Sequence, residues 1–538
     1  MSRSNVTDRL SHDLGNLNAD YHKAECGDGI YMKLEHCKTG ESFRSLDFCG
    51  GAAVACLGNG GENASAEYVR VADAAAAQMK KLAYVSHTSY RSDVNFDLSE
   101  LLVRNANRYL VLDEETHQWQ YKDIEADESS KLSHAIILNS GKLFSSFCVE
   151  HLVNSLKVPR PLRRRSRQFG STGEHKESRT KKRSYHEKAH TMATDANGMR
   201  IGLWQSSNQY YPHGDKIENE TEEEYVDRLL RNLKMQIMLH GADTIAAIWI
   251  EPVSGAGLGC QPAGPGYLKE IKKLCRNNDI ILVYDEVMCG MGRMGSMHAW
   301  HYDQAQLCAQ LEGDSDASDK THHLGRQGQC LQSLAPDIQM MGKCLGAGIM
   351  PAAGLIVNRR VADGLAPKFI HSFTYQAHPT VCAAALSAQR EIQILLEAGK
   401  IQKLAKCLER EIKEKLYPLG NVADIRGRGL FWGIELQHDD GGAWAHDVSM
   451  ELVAFGEDDH FIQEDACIRF YGSGWRLRKH GEPERKGDHI MLSPAFTFTE
   501  RDIIEGVSRL ANVVQRYFGE SAYISRHRAK DAKGAFVP

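Results

Sequence analysis

The sequence predicts an α/β protein in which a mainly parallel β-sheet is covered by helices on both faces. Two uninterrupted apolar runs, TIAAIWIEPV (244–253) and IILVYDEV (280–287), have the length and composition of buried strands. Amphipathic helical segments at 221–241 and 266–279 precede them. Continuous apolar strands that alternate with helices are typical of parallel sheets with two buried faces.

The two ends of the chain predict a different, α+β organisation. Alternating apolar residues at 31–34 and 44–48 predict a small β-meander, and an alanine-rich helix capped by Asn63 or Ser65 follows. After about residue 386 we expect long helices, then a strand–turn–strand unit in VADIRGRGLFWGIEL, then a final helix.

Composition excludes several classes of function. The 538 residues are 42% hydrophobic and 25% charged, as in ordinary globular proteins. The net charge of -5 gives no reason to expect nucleic acid or an anionic membrane as a partner. No apolar run reaches the ~20 residues needed to span a bilayer. The opening residues lack an apolar signal region and include acids, so we expect a cytoplasmic location.

The metal-binding residue types show no recognisable spacing. The 14 cysteines include no C-x-x-C pair and the 24 histidines no H-E-x-x-H, so we predict reduced thiols and no metal site. The doublet His322–His323 lies in a polar stretch, 311–334, that we interpret as a surface insertion.

Three acids and one lysine carry the chemistry that the sequence predicts. Glu251, Asp285 and Glu286 end buried strands, and ligands of parallel sheets bind at those ends. Lys343 lies among glycines, which permit close approach of a ligand to the backbone. A desolvated lysine can form a Schiff base with a carbonyl, and a carboxylate can keep a pyridine nitrogen protonated. Pyridoxal phosphate needs both groups.

Each of these residues has a plainer interpretation when it is taken alone. A strand-end aspartate is often a cap or turn residue, and a lysine between glycines is often a solvated loop residue. GMGRMG (290–295) resembles a nucleotide-binding loop only loosely, because no clear helix follows it. The prediction depends on the order and spacing of the residues together.

Long segments in a fixed order resemble the class III pyridoxal-phosphate aminotransferases, close to the branch that acts on ω-amino acids and amines. They span roughly residues 27–520 and are IEPVSGAGLGCQPAGPGYLKEIKKLCRNNDIILVYDEVMCGMGRMG, APDIQMMGKCLGAGIMPAAG, SFTYQAHPTVCAAALS, IRGRGLFWGIEL and GDHIMLSPAFTFTERDI.

The resemblance implies a fold-type-I enzyme with a seven-stranded sheet and a homodimer whose active sites are shared. Lys343 would form the Schiff base with pyridoxal phosphate, and Asp285 would pair with the pyridine nitrogen. Val287 and Tyr185 would pack on the two faces of the ring. Thr374 would reach the phosphate of the neighbouring subunit's cofactor.

Further roles follow from the same resemblance. Glu251 would lie near the cofactor, and Tyr90 would line the substrate site. Ser140 and Gly141 fit the phosphate cup. Arg485 is the nearest candidate for binding a substrate carboxylate, which suits the forked guanidinium.

Residues 142–158 depart from the family pattern at the phosphate cup. They lie where a cofactor-binding helix is expected to begin, and Lys142 directly follows Gly141. The segment is either unspliced intron sequence or a genuine loop in which Lys142 faces the phosphate. A weakened cup would leave a catalytically silent protein.

The resemblance also implies an organisation and an activity. Residues 1–85 would join 386–538 in the small domain, and 86–385 would form the large, cofactor-binding domain. We expect an aminotransferase that moves an amino group from an amine or ω-amino acid to a keto acid or aldehyde. An aminomutase, a decarboxylating transaminase or a lyase would use the same lysine.

Overall fold

The computed structural model describes most of the chain. The described residues are 22–113, 116–123, 128–129, 131–139, 192–194, 200–205, 220–303, 334–365, 372–437, 447–479 and 482–519. In these residues no helix is long and apolar enough to cross a membrane. The cysteines within the same ranges form no disulfide.

The strands are numbered β1–β17 along the chain. They are β1 (Lys23–Asp28), β2 (Tyr31–Glu35), β3 (Ser42–Asp47), β4 (Arg108–Leu112), β5 (Trp119–Asp123), β6 (Leu132–Leu138), β7 (Met192–Thr194), β8 (Arg200–Gln205), β9 (Ala247–Ile250), β10 (Ile281–Asp285), β11 (Ile338–Met341), β12 (Ala353–Asn358), β13 (Val422–Arg428), β14 (Phe431–Leu436), β15 (Ile468–Arg469), β16 (Tyr471–Lys479) and β17 (Glu482–Leu492).

The α-helices of five or more residues are numbered α1–α10. They are α1 (Ala66–Leu82), α2 (Asp93–Ala106), α3 (Glu222–His240), α4 (Tyr267–Asn277), α5 (Arg359–Gly364), α6 (Pro379–Glu397), α7 (Lys400–Leu416), α8 (Val448–Phe455), α9 (Asp459–Gln463) and α10 (Glu500–Gly519). The Ser65 side chain caps α1 by accepting the Tyr68 N–H, and Thr221 and Glu224 form a capping box at α3. The predicted cap and the predicted helix at 221–241 are confirmed.

A seven-stranded sheet forms the centre of the molecule, in the order β6-β12-β11-β10-β9-β8-β7. Strands β8 to β11 are parallel, whereas β12 is antiparallel to both of its neighbours and β7 is antiparallel to β8. Leu282 and Tyr284 of β10 lie in one apolar core cluster, and Ile281 and Val283 lie in another. Both faces of the sheet are therefore buried, which explains the uninterrupted apolar runs.

Two smaller sheets contain the ends of the described chain. The meander β1-β2-β3 gains β15 as a parallel strand, with Ile468 opposite Leu46. A second, antiparallel sheet has the order β13-β14-β17-β16. Helix α10 buries an apolar face that includes Ile503, Leu510 and Val514. The pairing of β3 with β15 brings residues from near both ends into one sheet.

Candidate active site

The carboxyl ends of β9, β10 and β11 lie side by side at one edge of the large sheet. The register places Ile250 opposite Tyr284, and Asp285 opposite Met340. Glu251, the residue after β9, therefore shares this edge with Asp285 and with the turn that follows β11. This is the edge at which open α/β sheets bind ligands.

Asp285 is oriented by neighbouring residues. Its Oδ1 accepts the Val287 N–H at 3.1 Å, and its Oδ2 accepts the Trp249 indole N–H at 3.4 Å. Trp249 belongs to the adjacent strand, and Val287 lies only two residues further along the chain. Two donors thus fix a half-buried carboxylate at the end of β10.

Glu286, the next residue, has a structural role. Its side chain is fully buried. It accepts the N–H groups of Ala299 at 3.0 Å and Trp300 at 2.9 Å, together with the Gln339 amide at 2.9 Å. These bonds join the loop after β10 to β11. Of the two adjacent acids, Asp285 therefore lies at the edge of the sheet and Glu286 lies in the core.

Lys343 begins the short 3₁₀ turn Lys343–Leu345, two residues after β11. Its Nζ donates to the Ala52 carbonyl at 2.8 Å, and its φ of 46° is left-handed. That conformation costs roughly 1–2 kcal/mol for a residue with a Cβ. At Gly346 a Cβ would lie 2.0 Å from the Met350 oxygen. This glycine therefore allows the turn to pack on its own backbone, whereas the sequence suggested space for a ligand.

Remote residues hold the lysine turn in place. The Gln389 amide of α6 donates to the carbonyls of Cys344 and Leu345, each at 3.0 Å. The fully buried Arg293 donates to the Pro494 carbonyl at 2.6 Å, and its other terminal nitrogen lies 3.5 Å from the Cys344 sulfur. Sequence reasoning missed both supports. The arginine of the GMGRMG segment is Arg293, so this segment supports the lysine turn by packing.

Two buried thiols lie behind the lysine. The Cys344 sulfur is 3.2 Å from the Ala53 oxygen, and the Cys56 sulfur is 3.9 Å from the Cys344 oxygen. The hydrogen bond from Cys56, opposed by burial and helped by Arg293, lowers the pKa of Cys344 to about 6. Burial, first of all, raises the pKa of Cys56 well above its ordinary value. The turn is thus joined to the segment at 52–56 through both Lys343 and Cys344.

The loop after Glu251 is held by the C-terminal sheet. The Glu251 carboxylate accepts the Gly255 N–H at 2.9 Å. Arg426 donates to the carbonyl of Gly259 at 3.0 Å, and the His489 Nε2 lies 3.0 Å from the Ala256 oxygen. Burial, followed by the charge of Arg426, lowers the pKa of His489 to about 4. The ring is therefore neutral near pH 7, and Arg426 acts in packing.

The other predicted site residues differ in burial and in position. Val287 is half-buried and packs against the sheet core, next to Asp285. Tyr90 is 67% exposed, and Thr374 is exposed in the turn before α6. The backbone of Arg485 lies in β17 opposite Arg476, on a part of the hairpin that extends past the pairing with β14. The remaining predicted residues, Ser140, Gly141 and Tyr185, lie outside the described residues, as do 142–158.

Known proteins resemble this chain in sequence and in fold. The family model Aminotransferase class-III matches residues 165–307 and 324–514, more than half of the chain. An uncharacterised aminotransferase of Schizosaccharomyces pombe is 27% identical over 502 residues, covering 90% of this chain and 91% of that protein. The mitochondrial gamma aminobutyrate transaminase 1 of Solanum lycopersicum is 27% identical over 327 residues. That match covers 59% of this chain and 52% of the tomato protein.

Among solved structures, the pyridoxamine-phosphate-bound aminotransferase of Vibrio fluvialis matches with a TM-score of 0.65. The match covers 97% of this chain and 99% of that one at 22% identity. This level of identity supports the fold. The family match begins at residue 165, after the atypical segment 142–158, and its interruption between 307 and 324 overlaps the predicted insertion 311–334.

Proposed function

This chain belongs to the class III aminotransferase family, and we propose that it transfers an amino group from an amine or ω-amino acid to a keto acid or aldehyde. The observation that carries the proposal is the placement of Lys343 in a left-handed turn at the same sheet edge as Asp285. The name of the tomato relative supports the ω-amino-acid substrate class.

The side chains at this edge fit pyridoxal phosphate, the cofactor of the family. They offer a primary amine, a fixed carboxylate and an apolar side chain, Val287, beside the carboxylate. When bound, pyridoxal phosphate supplies an electron-withdrawing ring that makes the Cα proton of the amino substrate acidic. The lysine amine would hold the cofactor aldehyde covalently.

Lys343 has a second role as the proton carrier. Its Nζ would take the proton from substrate Cα and return it on the other side of the transfer. In the structure the Ala52 oxygen accepts from this Nζ, so the amine has a fixed partner at the site. Asp285 would keep the pyridine nitrogen protonated, since its own oxygens already accept from two neutral donors.

The remaining assignments are proposals of the same kind. Tyr185 would stack on the ring, and Ser140 and Gly141 would bind the phosphate. Glu251 would border the substrate, near the loop that it caps. Tyr90 and Arg485 would contact the substrate itself, the arginine through a carboxylate. The division into 1–85, 86–385 and 386–538 is also proposed, with the pairing of β3 and β15 in support.

A homodimer with shared active sites is part of the proposal. Tyr84 and Tyr375 are 45% and 58% exposed, and their rings lie 6.2 Å apart. His378 joins them with ring distances of 6.0 Å to each, and Thr374 is the neighbour of Tyr375. An exposed aromatic surface of this kind is typical of an interaction site. A second copy of the chain that covers it would also receive Thr374 at its cofactor phosphate.

The proposed activity is tested by a half-reaction. Cofactor-loaded protein is mixed with one amine donor at a time, and pyridoxamine phosphate is measured by mass spectrometry. We expect its formation with at least one amine or ω-amino acid, and formation about 10²–10⁴-fold slower with a Lys343→Ala variant. Release of ammonia without pyridoxamine phosphate would show a lyase, and release of carbon dioxide together with pyridoxamine phosphate would show a decarboxylating transaminase. No retained cofactor would show a silent protein.

The cytoplasm is the location that we propose. The name of the tomato relative places that protein in mitochondria. Fractionation of cells that express the tagged chain distinguishes the two compartments.

A further inference from the structure

A cluster of imidazole and thiol groups lies on the meander sheet, apart from the candidate active site. His22 directly precedes β1, and His36 and Cys37 follow β2. The pairing of Lys23 with Glu35 brings the two histidines together, with ring centroids 4.9 Å apart. One ring nitrogen from each histidine and the Cys37 sulfur all lie within 4.8 Å of one another.

His36 is oriented from behind by a carboxylate. It is 7% exposed, and its Nε2 lies 3.1 Å from Oδ1 of Asp459, the first residue of α9. Its Nδ1 faces the turn after β2, where the N–H of Thr39 donates to it at 3.1 Å. The ring thus donates outward from Nε2 to the carboxylate, and a metal bound at Nδ1 would replace the hydrogen bond from Thr39. A carboxylate behind a histidine is the usual second partner of a metal-binding imidazole.

His22 and Cys37 complete the donor set. The Cys37 N–H lies 3.4 Å from the His22 Nδ1, and the His22 ring packs edge-on against Phe43 at 4.9 Å. Cys37 is exposed and can rotate.

We propose that His22, His36 and Cys37 bind one Zn²⁺ ion, with water as the fourth ligand. Two imidazole nitrogens and one thiolate suit zinc far better than magnesium or calcium, which take oxygen ligands. Ligand atoms in a tetrahedral zinc site lie about 3.5 Å apart. Side-chain rotation of the half-buried His22 and the exposed Cys37 by roughly 1 Å would reach that geometry.

The ion would act as a structural clamp. It would join the start of β1 to the turn between β2 and β3, and Asp459 would extend the link to α9. Sequence reasoning predicted no metal site because the ligands follow no standard spacing. The antiparallel register of β1 and β2 brings residue 22 to residues 36 and 37.

The test is a zinc titration of the full-length, untagged, cofactor-loaded protein after removal of metals with a chelator. A competing chromophoric chelator reports the affinity, and metal analysis reports the stoichiometry. We expect one zinc per chain and a higher melting temperature with zinc. Cys37→Ser should lower the affinity at least a hundredfold. The matched control is Cys26→Ser, because Cys26 is also exposed, lies on β1 and is outside the cluster.

Two further measurements separate ligation from folding. Cobalt in place of zinc should give a thiolate-to-metal absorption band that Cys37→Ser lacks, while circular dichroism shows that both proteins are folded. Asp459→Asn should weaken binding about 10–100-fold with the band retained, since it positions His36 without touching the metal. Failure of the wild-type protein to bind zinc, or unchanged affinity in Cys37→Ser, would overturn the proposal.

Discussion

The two residues that the proposed chemistry most requires are positioned in opposite ways. Asp285 is held by Val287, two residues along the chain, and by Trp249 on the adjacent strand. The turn of Lys343 is held instead by the Ala52 carbonyl, 291 residues earlier, and by side chains from other elements. The position of Asp285 is therefore set by neighbouring residues of the sheet, whereas the position of Lys343 depends on contacts between distant parts of the chain.

Because of this difference, we expect activity and stability to depend on the same contacts at Lys343 but on different contacts at Asp285. Residues that support the lysine turn also join distant parts of the core, so changing them should affect both folding and activity. The donors to Asp285 are half-buried residues at the margin of the core, so removing a hydrogen bond while keeping the packing should affect activity more than stability. The following predictions test this contrast, from the largest expected effect to the smallest.

Lys343→Ala should lower the rate of amino transfer by about 10²–10⁴-fold, the usual contribution of a positioned proton carrier. The pre-steady-state half-reaction measures it. Borohydride should attach the cofactor to a peptide containing Lys343 in the wild type. Lys400→Ala is the control, because that lysine contacts the Thr497 carbonyl and should change neither result. Equal rates in the two variants would remove the lysine from the mechanism.

Arg293→Met should lower the free energy of unfolding by about 2–4 kcal/mol, because the carbonyls of Leu430 and Pro494 lose a buried donor. Cofactor occupancy should fall with it, since the turn loses its contact at Cys344. Urea unfolding and the bound-cofactor absorption measure the two effects. The exposed Arg390→Met serves as control. A loss of stability with full occupancy would contradict the coupling.

Acid should destabilise the protein through His489. The unfolded chain binds a proton on this ring below about pH 6.5, but the folded chain only below about 4, so stability falls as the pH drops through that window. The loss approaches about 3 kcal/mol at the low end. His489→Gln should flatten the pH dependence of the melting temperature between these values. An unchanged slope would show that other groups control acid unfolding.

Asp285→Asn and Glu286→Gln should separate activity from stability. Losing the charge at Asp285 should cost about 1.5–3 kcal/mol in the transition state, or roughly 10–100-fold in rate, with little change in unfolding. Glu286→Gln should instead cost about 1–3 kcal/mol of stability, because an amide replaces an acceptor of three donors. Steady-state kinetics measures the rate of each variant, and urea unfolding measures its free energy of unfolding. The reverse pattern would refute the assignment of the two acids.

Trp249→Phe should have the smallest effect. It removes one long hydrogen bond, at 3.4 Å, to Asp285 and keeps the aromatic packing. A loss of about 0.5–1.5 kcal/mol corresponds to roughly 2–10-fold in rate. Steady-state kinetics measure it, with the unfolding midpoint as reference. If the free energy of unfolding fell by more than the activation free energy rose, the Trp249 hydrogen bond would contribute mainly to folding.

The same contrast explains how much the sequence could predict. The two buried strands, Asp285 and the cap at Ser65 follow from patterns a few residues long, although the observed strands, Ala247–Ile250 and Ile281–Asp285, are shorter than the predicted 244–253 and 280–287. The antiparallel β12 and the addition of β15 to the meander depend on pairing between distant strands. The contacts of Ala52 and Gln389 with the lysine turn have no local signal, because each joins residues more than forty positions apart.

The contact between Ala52 and Lys343 has a consequence for how the protein is made. Chains grow from the N-terminus at about 5–20 residues per second, so the partner of the lysine leaves the ribosome roughly 15–60 s before the lysine does. Gln389, which also supports the turn, is synthesised later still. Nascent chains that lack these last residues cannot complete the turn. Capture of the cofactor at the proposed Lys343 site would therefore come at the end of biosynthesis.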